Sequence, residues 1–182
     1  MTSLTYMELL RGNRSFRWLL AGQVVSELGN WFNFIAVLGL VRALTDAAPE
    51  ATAVMIVLRF APFALFAPVA GALADRWSRR AVMIWTDLAR AFIALGFLFV
   101  RSADELWIGY VCMTALTVLS ALFDGARNGA MPNVAGERGL LAGNVLIFSS
   151  RFLLMAVGTP VGGAGSSTLG YGAAFLVNAV SF

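Results

Sequence analysis

Long apolar stretches separated by short polar ones dominate the chain. Apolar runs cover residues 18–41, 52–74, 81–100, 106–123 and 140–165, and a shorter run of about ten residues, 172–182, closes the sequence. Each of the first five is near the roughly twenty residues a helix needs to cross about 30 Å of hydrocarbon, so the pattern predicts five complete spans and a sixth cut within its helix. The first run is too long for a signal-peptide core and lacks a small-residue cleavage site, which makes it a span. Pro62 and Pro68 fall inside the second run. Each removes a backbone donor, so a bend is expected unless neighbours satisfy the freed carbonyls.

Composition fits that pattern. Hydrophobic residues make up 59% of the chain and charged residues 13%, against about 25% charged in ordinary soluble domains. The fold class expected is an all-α membrane protein in contact with the lipid bilayer. All thirteen basic residues are arginine and histidine is absent, which excludes serine–histidine and cysteine–histidine dyads, histidine metal ligands and a histidine proton relay. Ser149, Ser150, Ser166 and Ser167 therefore have no histidine or lysine base, and an enzyme is not expected. The lone Cys112 forms no intrachain disulfide. No cofactor, metal or nucleic-acid partner is expected. A nucleotide-driven domain would need a G-x-x-x-x-G-K-[ST] loop, and this chain contains no lysine.

The loops set an orientation. Polar segments 1–17, 75–80 and 124–138 hold three, three and two arginines, whereas the intervening loops hold one each, Arg42 and Arg101. This asymmetry predicts a cytoplasmic N-terminal segment, 1–17, in a multi-pass protein of the cell membrane.

Arg59, Arg90 and Arg151 fall inside predicted spans, together with Glu27 and Asp87. A charge at the helix centre costs about 2.5 to 3.5 kcal/mol even on the lenient insertion scale, which makes each a candidate functional group. Glu27 and Arg151 lie near the middle of the first and fifth spans, so they match in depth and are expected to pair across a cavity. Arg59 sits on the outer half of the second span, farther from Glu27. Asp87 and Arg90 are three residues apart, on one helical face, where a local ion pair competes with a functional role. Around Glu27 the first span carries Gln23, Ser26, Asn30 and Asn33 at helical spacing, a polar stripe unsuited to lipid. Burial disfavours the ionised carboxylate, which suits Glu27 to load and release a proton. Interhelical hydrogen bonding without transport remains the structural alternative.

The densest charge lies in the hairpin after the second span. Gly71, Leu73, Asp75, Arg76, Arg79 and Arg80 match the spacing G-x-L-a-D-r-x-G-r-[kr], with Ser78 where the second glycine of that signature stands. In this the chain resembles the major facilitator superfamily of transporters, especially its bacterial multidrug and macrolide efflux members. Phe123 to Arg127, Met131, Pro132 and Ala142 to Asn144 are similar to the fourth-to-fifth connection of that subgroup. Gly158, Pro160, Gly162 and Gly163 resemble the G-P-x-x-G-G element of its exchangers, with Thr159 and Ala164 replacing two glycines. Gly158, Pro160 and Gly163 are a candidate hinge, with a tight helix contact as the alternative.

The resemblance implies a twelve-span fold in two six-span halves, with substrate near the midplane and alternating access. Residues 1–182 then form the N-terminal half, whose partners are the missing C-terminal half, a small-molecule substrate and protons. It further implies that Asp75 helps lock the cytoplasmic side, with Gly71, Arg76, Arg79 and Arg80 completing a gating hairpin. The expected function is proton-coupled efflux of hydrophobic or drug-like molecules. Transport of a lipid, siderophore or metabolite, and a non-transporting six-span partner subunit, are the alternatives.

Overall fold

The computed structural model describes residues 4–74 and 76–182. Asp75 and the first three residues of the N-terminal segment lie outside the described residues. In chain order the α-helices are α1 (Tyr6–Gly12), α2 (Arg14–Leu44), α3 (Pro49–Ala74), α4 (Arg79–Gly96), α5 (Leu106–Ala135), α6 (Leu140–Leu169) and α7 (Tyr171–Ser181). Five helical stretches, starting with α2, are long and apolar enough to cross a membrane, and α7 is a shorter apolar helix. The all-α bundle expected from the hydropathy pattern is what forms.

Local chemistry sets the helix starts. Thr5 and Glu8 make a reciprocal capping box on α1. The Asn13 side chain accepts from the Phe16 amide at 2.9 Å to start α2, and Ser78 accepts from the Ala81 amide at 3.3 Å to start α4. Ser78 has φ −65° and ψ 120°. The turn therefore needs no left-handed residue there, and serine serves as a helix cap where the signature has glycine. Positive φ occurs instead at Asp46 and Ala47, just after α2, and at Gly136 and Gly170, φ 71° and 81°, ahead of α6 and α7.

Two boundaries differ from expectation. Segment 124–138 is not a loop: α5 continues to Ala135, and Arg127 is buried inside the bundle. The cause is that Asp124 and Arg127 pair three residues apart on the inward face, and Met131 and Ala135 extend the same buried stripe. Arg127 thus leaves the tally of loop arginines. Segment 1–17 is helical from Tyr6 and packed, with Leu9 and Phe16 fully buried against Met131, Ala135 and Ile147. The Leu4 amide donates to the Arg138 carbonyl at 2.8 Å and Asn13 Nδ2 to the Val134 carbonyl at 2.6 Å, tying α1 to the α5–α6 connection.

Helix α3 runs unbroken through both internal prolines. Pro62 cannot donate to the Leu58 carbonyl; the Thr117 hydroxyl of α5 lies 3.2 Å from it and 2.8 Å from the Met113 carbonyl of its own helix, so its single hydrogen is shared between the two acceptors. A neighbour thus partly satisfies one of the freed carbonyls. Helix α3 packs mainly along α5, α2 along α6 and α7, and α4 along α5 and α7. The main apolar core gathers Phe34 and Val37 of α2, Met55 of α3, Phe97, Met113 of α5 and Phe175 of α7.

Candidate functional site

The polar stripe of α2 faces the middle of the bundle, where it meets charges from α5 and α6. Gln23 and Glu27 are four residues apart, one helical turn, so both project to the same side. The Gln23 amide donates to Glu27 Oε2 at 3.4 Å. Arg127 donates to Gln23 Oε1 at 2.6 Å and pairs with Asp124 Oδ1 at 2.9 Å. Asp124 Oδ2 accepts from Arg151 at 2.6 Å, and Arg151 Nε lies 3.7 Å from Glu27 Oε2. The five side chains close a ring: Glu27, Gln23, Arg127, Asp124, Arg151. Two carboxylates and two guanidinium groups cancel, and the low-dielectric interior holds a pairing of this kind only when its hydrogen bonds are largely satisfied.

One side of the ring walls an enclosed cavity of about 40 Å³, lined among others by Glu27, Asn30, Arg59, Ser120 and Arg90. That space admits water, since about 10–15 Å³ suffices for one molecule. The other side opens into a crevice of about 850 Å³ between α3, α5 and α6, lined by Phe63, Gly71, Asn128, Asn144 and Phe148. Asp124 and Arg151 border both. The ring therefore stands between a small closed space and a large open one.

The structure brings Gln23, Glu27, Asn30, Arg59, Arg90 and Arg151 together around the small cavity. The expected Glu27–Arg151 pair forms, but Arg151 is held more closely by Asp124. Arg59 is nearer than its sequence depth suggests: it shares the cavity with Glu27, its guanidinium 5.7 to 5.8 Å from the rings of Trp31, Phe34 and Phe60. Asn33 is buried without lining the cavity, and its Oδ1 has no hydrogen-bond partner among the described residues.

Asp87 and Arg90 form the local ion pair. Arg90 also stacks over Phe123 at 4.5 Å and Phe182 at 4.4 Å, so the pair is self-neutralising while Arg90 alone forms part of the cavity wall. In the hairpin, Arg79 donates to the Gly129 carbonyl of α5, while Arg76 and Arg80 are exposed. Asp75 lies outside the described residues. Gly71 borders the crevice, and a Cβ there would meet no described atom within 4 Å. Of the candidate hinge, Gly158 is a contact point: a Cβ there would stand 2.9 Å from the Trp31 Cβ, whereas at Gly163 the nearest atom is Ile35 Cγ2 at 3.9 Å. Pro160 is exposed within a continuous α6.

Sequence reasoning missed Asp124 and Arg127 as site residues. The available signal was their i, i+3 spacing of opposite charges followed by Met131 and Ala135 at helical intervals.

Residues 19–182 match the family described as Major Facilitator Superfamily. The chain is 29% identical over 178 residues to the "Uncharacterized MFS-type transporter YfiS" of Bacillus subtilis (strain 168), covering 96% of this chain and 41% of that protein. It is 30% identical over 148 residues to the "Putative bacilysin exporter BacE" of the same strain, covering 81% and 36% respectively. A third relative from that strain, the "Uncharacterized MFS-type transporter YvqJ", is 27% identical over 139 residues, 75% of this chain and 33% of its own length. The chain thus spans well under half the length of the curated relatives it matches. No solved structure matches it. Since the family match runs from within α2 to the end of α7, through every helix that carries the ring, the chain belongs to the Major Facilitator Superfamily.

Proposed function

We propose that this chain is the N-terminal six-helix half of a secondary transporter, not an enzyme, that exports hydrophobic or drug-like small molecules in exchange for protons. The protein resides in the cell membrane with its N-terminus in the cytoplasm, and a C-terminal half closes the other side of the crevice. The bacterial multidrug and macrolide efflux members are the subgroup it fits, and a relative whose name describes an exporter supports the outward direction.

The observation that carries this reading is the uneven strength of the ring. Its two longest edges, 3.4 and 3.7 Å, both end on Glu27, while Asp124 holds Arg127 and Arg151 at 2.9 and 2.6 Å. Protonating Glu27 cancels its attraction for Arg151 and leaves the Asp124 contacts standing. A single proton thus opens the ring at Glu27 and changes the electrostatics of the cavity and the crevice together. Glu27 carries the proton, Arg151 senses its charge, and Gln23 relays the change to Arg127. In the hairpin, Asp75 helps to lock the cytoplasmic side, and Arg79 anchors the turn to α5.

Everted vesicles containing the full-length protein test both roles. Proton-driven uptake of a hydrophobic dye is expected to fall at least about tenfold in Glu27→Gln, which keeps the hydrogen bonds and removes the titrating group. Unchanged uptake would remove Glu27 from the coupling. Asp75→Asn is expected to slow transport, and intact rates would return the hairpin to an orientation signal.

A further inference from the structure

We propose that Arg59 is the anion anchor of the substrate site, and that the transported class is amphiphilic molecules bearing a single carboxylate. The inference deepens the transporter reading above and rests on it.

The charges around the small cavity do not balance. Glu27 and Asp124 line it with two negative charges and Arg59, Arg90 and Arg151 with three positive ones, and adding the ion-pair partners Asp87 and Arg127 keeps the surplus at one. Arg90 is paired with Asp87, Arg127 with Asp124, and Arg151 with Asp124 and Glu27. Arg59 makes no ion pair or hydrogen bond among the described residues. It is held by rings instead, with Trp31, Phe34 and Phe60 at 5.8, 5.7 and 5.8 Å from its central carbon. Aromatic faces stabilise the cation without satisfying its N–H groups, because they offer no acceptor atoms in the guanidinium plane. The result is a cation fixed in place with its donor edge unused, in the wall of a cavity that Asn30 and Phe63 also line.

A planar fork of N–H donors matches a carboxylate bidentately, which a compact ammonium would not. One surplus positive charge calls for one negative charge on the ligand. The cradle supplies the remaining requirement, apolar surface beside the anion site. An unpaired guanidinium inside a membrane bundle is costly to maintain, and a carboxylate arriving with the substrate offsets that cost only while it is bound.

The test uses the full-length protein in lipid nanodiscs with two probes that share an apolar body, N-dansyl-phenylalanine and N-dansyl-phenylalaninamide. At equilibrium, by microscale thermophoresis, wild type is expected to bind the acid about tenfold more tightly than the amide, the scale of one charge-assisted bidentate contact. Arg59→Gln is expected to abolish that preference by weakening binding of the acid about tenfold. Arg59→Lys keeps the charge without the fork and should retain roughly a threefold preference, which decides the matter if the glutamine variant does not fold. Equal binding of acid and amide by wild type, binding of neither, or a preference that survives Arg59→Gln overturns the proposal. Because no proton gradient is present, the preference stands or falls apart from transport. Proton-driven transport of the amide with no acid preference would remove the anchor and leave the transporter. An acid preference in a protein that moves neither probe would do the reverse.

Discussion

Arg151 lies 2.6 Å from Asp124 and 3.7 Å from Glu27, so the guanidinium that α6 carries into the bundle is held first by α5 and only second by α2. This order separates the work of the two acids. Asp124 holds two arginines at close range, and Glu27 stands at the loose end.

That division predicts unequal costs. Asp124→Asn leaves two largely buried guanidinium groups with one carboxylate between them, and is expected to destabilise the protein by about 3 to 5 kcal/mol. Glu27→Gln keeps its long hydrogen-bond contacts and removes only the charge, and should cost about 1 kcal/mol or less. Thermal unfolding of the purified variants in detergent ranks them. A Glu27 variant as unstable as the Asp124 variant would contradict the division.

The glycines of α6 separate packing from bending. A Cβ at Gly158 would press on Trp31, and one at Gly162 would stand 3.2 Å from the Phe32 backbone, but one at Gly163 meets only ordinary contact. Gly158→Ala and Gly162→Ala are therefore expected to lower stability by about 1 to 3 kcal/mol, and Gly163→Ala to leave it unchanged. Transport assays on the Gly163 variant then isolate the hinge. Loss of transport with normal stability identifies a bending point; normal transport assigns the element to helix contact.

The proline in α3 and the threonine in α5 form a testable couple. Thr117→Val removes the hydroxyl shared between the Leu58 and Met113 carbonyls, and is expected to cost about 1 kcal/mol by leaving the Leu58 acceptor without a partner. Adding Pro62→Ala restores a backbone donor to the same carbonyl and should recover much of the loss. A double-mutant cycle by denaturant or thermal unfolding reads the coupling, and additive effects would show that the two residues act independently.

At the N-terminus, the Thr5 backbone and side-chain hydrogen bonds hold the Glu8 carboxyl below its usual range. A lowered folded-state value means that the capping box contributes in full above the ordinary glutamate range, about 4.3, and is lost as pH falls through the folded value. Amide protection of residues 6–12 in hydrogen exchange should hold at neutral pH and decline below that range. The decline should vanish in Glu8→Gln, and a decline that persists there would place its cause elsewhere.

The five spans were legible because apolar runs of bilayer length leave few other solutions. Depth matching was enough to pair Glu27 with Arg151. The rest needed tertiary context. Asp124 reads as the end of an apolar run, since in sequence a charge after eighteen apolar or small residues looks the same whether it faces water or a buried arginine. Arg59 looks distant from Glu27 when each span is treated as a straight scale, yet a long side chain reaches well away from its own backbone. Ser78 stands where the signature has a glycine, and only its cap geometry shows that the turn needs no left-handed residue there. The hinge glycines are ambiguous in sequence because small residues serve close approach and flexibility alike.

Helices α2 and α6 pack as one couple and α3 and α5 as another, with sparser contact between the couples along the crevice. The bundle thus has a grain, and the bonds from Arg127 to Gln23 and from Arg151 to Asp124 are stitched across it. Loosening a stitch there would let the couples slide along their length without unpacking either.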